Sequence, residues 1–132
     1  MTMEVKNNRG SRTIDFSSLP WSDHPFIAGV ETRSVQTEIR GHSAEDAMII
    51  RLKPGEGAPW HTHDGSCETA WVIEGRGVLV TRESSREVAH PLQAETAILV
   101  PAGLTHKVEN DGDESLLIFA IHSTVEGRKD GE

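Results

Sequence analysis

The chain has 132 residues, of which 36% are apolar and 26% are charged, and its formal net charge is −8. This composition is typical of one globular domain and too apolar for a disordered chain. The acidic balance argues against a nucleic-acid or anionic membrane surface, because both need clustered lysine and arginine. With one cysteine, no apolar leader and no run of eighteen apolar residues, the sequence predicts a cytoplasmic protein without disulfides or membrane spans.

Both ends of the chain are polar and lack apolar periodicity. Residues 1–12 are predicted to be a flexible arm, and residues 126–132 a flexible, charged tail. Between them, residues 13–125 are predicted to form a single domain. Near its start, residues 17–25 hold two prolines, which favour an extended segment lying over the rest of the domain.

From residue 27 onwards, short β-prone runs alternate with turn residues. In the run 47–53, Met48, Ile50 and Leu52 recur at every second position, which predicts a half-buried antiparallel strand. Short strands at near-regular spacing, with no helix of twelve or more residues, favour an all-β barrel or sandwich over an α/β fold. Further strands are predicted at residues 30–40, 69–74, 77–82, 97–100, 107–108 and 116–122.

A pair of histidines in the middle of the chain has the spacing of metal ligands. His61 and His63 are two residues apart, so on a strand both imidazoles project from one face and can bind one ion. Such a pair is weak evidence alone, because the chain has seven histidines. The flanking residues distinguish a metal-site motif from a chance pair. Gly55 precedes His61 by six positions, Glu68 follows His63 by five, and Gly75 follows Glu68 by seven. Fewer than about one in a thousand sequences of this composition would show that spacing by chance.

The pattern G-x5-H-x-H-x4-E-x6-G at residues 55–75 resembles the first motif of the cupin superfamily at every position. Downstream, P-x-G-x2-H-x3-N from Pro101 to Asn110 resembles the second motif. One position departs from the family: Glu95 stands where cupins have a turn-forming glycine six residues before the proline, which leaves the backbone at residues 94–96 in question. The resemblance implies an antiparallel double-stranded β-helix, a jelly-roll barrel with little or no helix.

The resemblance also implies that His61, His63, Glu68 and His106 bind one divalent transition metal ion. The chemistry of the donors agrees, since three imidazoles and one carboxylate suit Fe, Mn, Ni, Zn, Co or Cu, whereas Ca and Mg prefer more oxygen ligands. At most two coordination positions of an octahedral ion would then remain for water, substrate or dioxygen.

Residues outside the two motifs have weaker signals. His122 shares a strand face with Ile118 and Ala120, and it is predicted to be a catalytic base or a substrate hydrogen-bonding residue if that face lines the barrel. Trp60 and Trp71 are better explained by packing in the core or at a subunit interface than by substrate stacking. Other basic side chains are expected on solvated surfaces or turns, the arginines being also candidates for an anionic substrate: His24, His42, His90, Arg51 and Arg82.

The cupin barrel serves many reactions, so the resemblance implies a class of function more than a reaction. We expect a metal-dependent enzyme acting on a small polar organic substrate, dioxygenase-like or isomerase/lyase-like, with the metal as Lewis acid or oxygen activator. The alternative is a non-catalytic cupin that binds or senses a small molecule at the same site. Since small cupins commonly pair, we also expect a homodimer in which the N-terminal segment covers a sheet edge of the partner.

Overall fold

The computed structural model describes residues 13–24, 27–34 and 47–124. The predicted arm at 1–12 and tail at 126–132 lie outside these residues. Among the described residues there is one 3-10 turn, Phe16–Ser18, and no α-helix. The strands are, in chain order, β1 (Ser22–Asp23), β2 (Glu31–Arg33), β3 (Ala47–Leu52), β4 (Gly57–His61), β5 (Ser66–Glu74), β6 (Arg76–Glu83), β7 (Arg86–Gln93), β8 (Ala97–Val100), β9 (His106–Glu109) and β10 (Leu116–Thr124).

The strands form two antiparallel sheets. One has six strands in the order β1-β2-β3-β10-β5-β8, and the other has four in the order β4-β9-β6-β7. Their inner faces meet in one apolar core, because alternate residues of each strand point inward. The predicted all-β jelly roll is therefore confirmed. The core side chains come from both sheets: Val30, Leu52, Ala70, Val72, Leu79, Leu92, Ile98, Val100, Leu116, Ile118 and Ala120. No helix in the described part of the chain is long and apolar enough to cross a membrane.

Besides the two-residue β1, two strands, β4 and β7, were not predicted from the sequence. Each contains a proline, Pro59 in β4 and Pro91 in β7. Proline has no backbone N–H to donate, so it weakens the signal of a strand and is tolerated mainly at a sheet edge. Both strands are the outermost of the four-stranded sheet as described. The predicted strand at 30–40 corresponds to β2, and residues 35–40 lie outside the described ranges.

Asn110, the last residue of the second motif, joins three parts of the backbone. It is 3% exposed, and its Nδ2 donates to the carbonyl oxygens of Leu52 and Glu114, both at 2.8 Å. Its Oδ1 accepts from the N–H of Gly112 at 2.9 Å. Because every polar atom of this buried amide has a partner, Asn110 fixes the loop that follows β9 against the end of β3.

Gly103 links the second motif to the first. Its N–H donates to the carbonyl oxygen of His63 at 2.8 Å, and its φ of +86° lies in the left-handed region that glycine adopts without steric cost. The loop before β9 is thereby held against the loop after β4. Gly75 shares this left-handed backbone, with a φ of +92°, and a Cβ there would in addition overlap the carbonyl oxygen of Ser115.

The turn between β7 and β8 contains Glu95, the residue that departs from the family pattern. Its φ is +73°, so the chain adopts the left-handed backbone there without a glycine. The backbone of this turn is hydrogen-bonded. The N–H of Thr96 donates to the carbonyl oxygen of Gln93 at 3.1 Å, and the N–H of Glu95 donates to the carbonyl oxygen of Val72 at 2.9 Å. Glu95 therefore preserves the turn at a steric cost.

Replacing Glu95 with glycine should relieve that cost. A left-handed non-glycine residue costs about 1–2 kcal/mol, and the added freedom of glycine in the unfolded chain offsets about 0.4–1 kcal/mol of the gain. We expect Glu95→Gly to raise the free energy of unfolding by up to about 1 kcal/mol in urea titrations. Ala94→Gly, at a neighbouring exposed position without positive φ, is the matched control and should lower it. Equal losses in both variants would contradict this account.

Candidate metal centre

Three of the predicted ligands form a cluster of imidazole rings at one end of the barrel. His61 ends β4 and pairs directly with His106, the first residue of β9, and the two ring centroids are 4.2 Å apart. His63 lies in the loop after β4, with its ring centroid 4.9 Å from that of His61 and 5.3 Å from that of His106. One nitrogen from each ring lies within 4.8 Å of the others. The structure thus brings these side chains together from both motifs.

The fourth predicted ligand, Glu68, comes from β5 and faces two of these rings, those of His63 and His106, together with that of His122. Its Oε1 lies 3.5 Å from Nε2 of His106, 3.6 Å from Nε2 of His122 and 3.7 Å from Nε2 of His63. Donors about 2.0–2.2 Å from a shared ion are separated by roughly 3–4 Å, so this spacing is that of ligands around one ion. The four residues predicted from the motifs, and His122 in addition, therefore converge.

The charge of Glu68 is maintained although its side chain is only 13% exposed. Burial alone would raise the pKa of this carboxyl, but the polar contacts with His106 and His122 outweigh burial and hold the pKa below its usual range. Glu68 is thus an ionised carboxylate at neutral pH, the form that binds a metal cation.

Local backbone contacts orient two of the imidazoles. Nδ1 of His61 lies 2.6 Å from the carbonyl oxygen of Pro59, and Nδ1 of His106 lies 2.8 Å from that of Leu104. A ring nitrogen beside a carbonyl oxygen must donate, so in the neutral ring the proton is on Nδ1 and Nε2 carries a lone pair. This is the tautomer in which metal-binding histidines are held by an outer hydrogen bond.

The ring nitrogens that face the cluster fit a cation. Within the described residues, Nε2 of His63 and Nε2 of His106 are buried and have no hydrogen-bond partner, which is uncommon for buried polar atoms. Burial lowers the pKa of His61, and it lowers the pKa of His63 to about 4. Both imidazoles are therefore neutral at physiological pH and available as ligands. A divalent ion would satisfy these nitrogens and the Glu68 carboxylate together.

A small cavity of about 50 Å³ extends from the cluster into the barrel. At roughly 10–15 Å³ per water, that space accommodates only a few water molecules or a ligand of comparable size. One end is polar and the remaining wall is aliphatic, formed by Ile27, Val30, Ile50, Leu52, Ala58, Leu79, Ile98, Val100, Val108 and Ile118. The polar residues that line the cavity are His24, His61, His63, Glu68, His106 and His122.

Two histidines of this polar end lie outside the motifs. The predicted role of His122 depended on its strand face lining the barrel, and His122 does line the cavity, directly opposite Glu68 in the β5–β10 register. His24 was expected at the surface or in a turn; it lies in the turn between β1 and β2, is half-buried, and also lines the cavity. The Nδ1 of His24 accepts from the N–H of Ile27 at 3.2 Å. An isolated histidine among prolines carries no spacing signal, so the sequence offered no means of finding it.

The other candidates from the sequence lie away from the cavity. Trp60 packs on the outer face of the four-stranded sheet, where the guanidinium of Arg82 lies 4.2 Å from its ring centroid. Trp71 is on the outer face of the other sheet and is 42% exposed. Arg51 forms an ion pair of 2.8 Å with Glu31. None of these four predicted candidates lines the cavity, and His42 lies outside the described residues.

The fold and the site together define a jelly roll with a histidine and glutamate cluster inside the barrel. The family profile of the cupin domain matches residues 48–122. The chain therefore belongs to the cupin family, and the resemblance of its two motifs is confirmed.

Comparisons with individual proteins agree with this family. A germin-like protein of Oryza sativa subsp. japonica is 32% identical over 99 residues, covering 73% of this chain and 43% of that protein. An oxalate-binding protein of Thermotoga maritima is 28% identical over 72 residues, covering 54% of this chain and 56% of that protein. The structure of a predicted oxalate decarboxylase, also from Thermotoga maritima, aligns with a TM-score of 0.69 at 21% identity over 86% of this chain and all of that one. The chain spans about half the length of the curated relatives it matches.

The low pKa of His63 predicts an acid-dependent loss of stability in the metal-free protein. Between its ordinary value of 6.5 and the folded value of about 4, the unfolded chain binds a proton that the folded chain does not. Acid therefore favours unfolding in this window. Above pH 6.5 His63 is neutral in both states, so the stability is not reduced by its protonation. In urea titrations with a chelator, we expect the free energy of unfolding to fall from pH 6.5 to 4, and to fall less steeply in His63→Leu. If the free energy of unfolding had the same pH dependence in both proteins, the low pKa of His63 would be contradicted.

Proposed function

We propose that this cupin is a metal-dependent enzyme that acts on a small polar organic substrate. The observation that supports it is the approach of Nε2 of His63, His106 and His122 to the Glu68 carboxylate, at 3.5–3.7 Å, with the ring centroid of His61 4.2 Å from that of His106. In this proposal His61, His63, Glu68 and His106 hold one divalent transition metal ion, Fe, Mn, Ni, Zn, Co or Cu. The ion when bound supplies Lewis acidity or oxygen activation, for an isomerase/lyase-like or a dioxygenase-like reaction.

The cavity limits the substrate more narrowly than the ligand set does. Its volume of about 50 Å³ and its aliphatic walls admit a small molecule whose polar end faces the histidines and whose remainder is shielded from water. Two of the similar proteins carry oxalate in their names, one as a binding protein and one as a predicted decarboxylase. We therefore propose small carboxylic acids as the first substrate class, because a carboxylate oxygen is also a good metal ligand.

The residues around the ion have distinct roles in this proposal. The backbone carbonyls that accept from Nδ1 of His61 and His106 hold these rings in position and fix their tautomers. The aliphatic walls exclude water from the substrate. His122 lies on the cavity wall, which is compatible with the predicted role of accepting or donating a proton at the substrate.

A non-catalytic cupin that binds or senses a small molecule is the second candidate. It is favoured by the similarity to the oxalate-binding protein of Thermotoga maritima, whose name describes binding alone. The same cavity and the same metal site would serve either function. Turnover, and not affinity, separates the two candidates.

Removal of a predicted ligand tests the proposed function. We expect the purified protein to bind one equivalent of Mn(II) or Fe(II) and to deplete one member of a panel of small carboxylic acids, monitored with oxygen consumption. His106→Ala and Glu68→Gln should weaken metal binding by more than the roughly 10–100-fold typical of losing a residue that only hydrogen-bonds to a ligand, and should abolish turnover. His90→Ala, on β7 outside the cavity, is the matched control and should retain both.

Failure of the unmodified protein to bind any of the six metals would contradict the proposal. Metal-dependent binding of an acid without turnover would support the second candidate. Turnover that persists in His106→Ala and Glu68→Gln would show that the reaction does not use this site.

We also propose that the chain forms a homodimer through the outer face of the six-stranded sheet. That face exposes 42% of Trp71, 45% of Ile73 and 74% of Leu99, and Trp71 stacks on Phe119 with ring centroids 6.0 Å apart. Apolar patches of this kind mark interaction sites. A second copy brings an equally apolar face, as a two-fold interface requires.

A charge placed on this face should separate the subunits. We expect the protein to sediment at twice its 14.5 kDa monomer mass, and Leu99→Glu to sediment as a monomer, because two carboxylates would be buried across the two-fold axis. Ala89→Glu, on the outer face of the other sheet, is the control and should remain dimeric. A monomer at micromolar concentration without substitution, or a dimer that tolerates Leu99→Glu, would contradict the proposal.

A further inference from the structure

A second group of metal-binding side chains overlaps the first. Beside the cluster of His61, His63 and His106, the donor atoms of His63, Glu68 and His122 also lie within 4.8 Å of one another. The two groups share His63. We infer that His122 is a fifth protein ligand, so that four imidazoles and one carboxylate surround a single ion. This inference rests on the proposed metal site and extends it to a residue outside both motifs.

His122 is as close to the Glu68 carboxylate as the predicted histidine ligands are. Its Nε2 is 3.6 Å from Oε1 of Glu68, between the 3.5 Å of His106 and the 3.7 Å of His63. Its ring centroid is 4.8 Å from that of His63, closer than the 5.3 Å between His63 and His106. His122 is therefore as close to Glu68 as His63 and His106 are, and its ring is as close to that of His63 as the ring of His61 is.

The fold holds this imidazole in place. His122 and Glu68 are direct partners in the register of β10 and β5, two central strands of the six-stranded sheet. Directly opposed residues on neighbouring strands keep their side chains in contact. The two side chains are 16% and 13% exposed. His61 and His106 come from the other sheet, so an ion with five protein ligands would connect both sheets of the jelly roll.

A fifth ligand narrows the chemistry that the site can perform. Five protein donors leave one position on an octahedral ion, where four donors leave two. One position accepts a single oxygen atom of a carboxylate or water, and it does not accept a chelating substrate or a substrate together with dioxygen. Within the proposed function, this favours a Lewis-acid isomerase or lyase over a dioxygenase. A coordinated Nε2 also cannot accept a proton, so the ligand role is an alternative to proton transfer by His122.

Cobalt binding tests the assignment without a substrate. The full chain is titrated with Co(II) in the absence of oxygen, and affinity is measured by competition with a chelator while the visible spectrum reports the coordination of the ion. We expect His122→Phe to lower the Co(II) affinity more than tenfold and to change the spectrum. His122→Gln is measured beside it so that the result does not depend on the folding of one variant. His90→Phe, outside the cavity, is the control and should match the unmodified protein.

The outcomes separate this inference from the proposed function. If both His122 variants bind Co(II) with unchanged affinity and spectrum, His122 is not a ligand, and the four-ligand site stands. If those variants also alter the pH profile of turnover, His122 acts in proton transfer instead, which equally overturns the inference. If the unmodified protein itself binds no Co(II), the proposed metal site and the fifth ligand fail together.

Discussion

A buried carboxylate surrounded by histidine side chains is the constraint on which this structure depends. Glu68 is ionised and 13% exposed, and an unpaired charge at such a position is costly. The nearest polar atoms include Nε2 of His63 and of His106, which are buried and without partners among the described residues. A cation bound between these nitrogens and the carboxylate would satisfy them together, which is why we place a metal there.

The jelly roll assembles these atoms by joining its two sheets at one end. His61 and His106 lie opposite each other in the β4–β9 pair, and Glu68 and His122 do so in the β5–β10 pair. The hydrogen bond from Gly103 to His63 holds the connecting loops together. Rigid strands therefore fix four of the five side chains, and a loop tied to the second motif positions the fifth. Such preorganisation limits the rearrangement that metal binding needs.

The parts of this arrangement that depend on local spacing could be predicted from the sequence. The two motifs predicted the cluster of His61, His63, Glu68 and His106, and period-two runs predicted most central strands. Strands β4 and β7 were missed because their prolines are compatible only with sheet edges, and edges are a property of the assembled sheet. The contact of His122 with Glu68 follows from long-range strand register, which no local pattern specifies. The left-handed turn at Glu95 shows that the backbone can retain a family feature after its usual residue has changed.

The central claim is that the four motif residues surround one ion, and anomalous diffraction from crystals of the metal-loaded protein tests it most directly. Data collected on either side of the absorption edge of the bound metal should show a single strong peak about 2.0–2.2 Å from the cluster nitrogens of His61, His63 and His106 and from the carboxylate of Glu68. A fully loaded crystal with its peak elsewhere, or with the ring of His106 turned away from those of His61 and His63, would contradict the account.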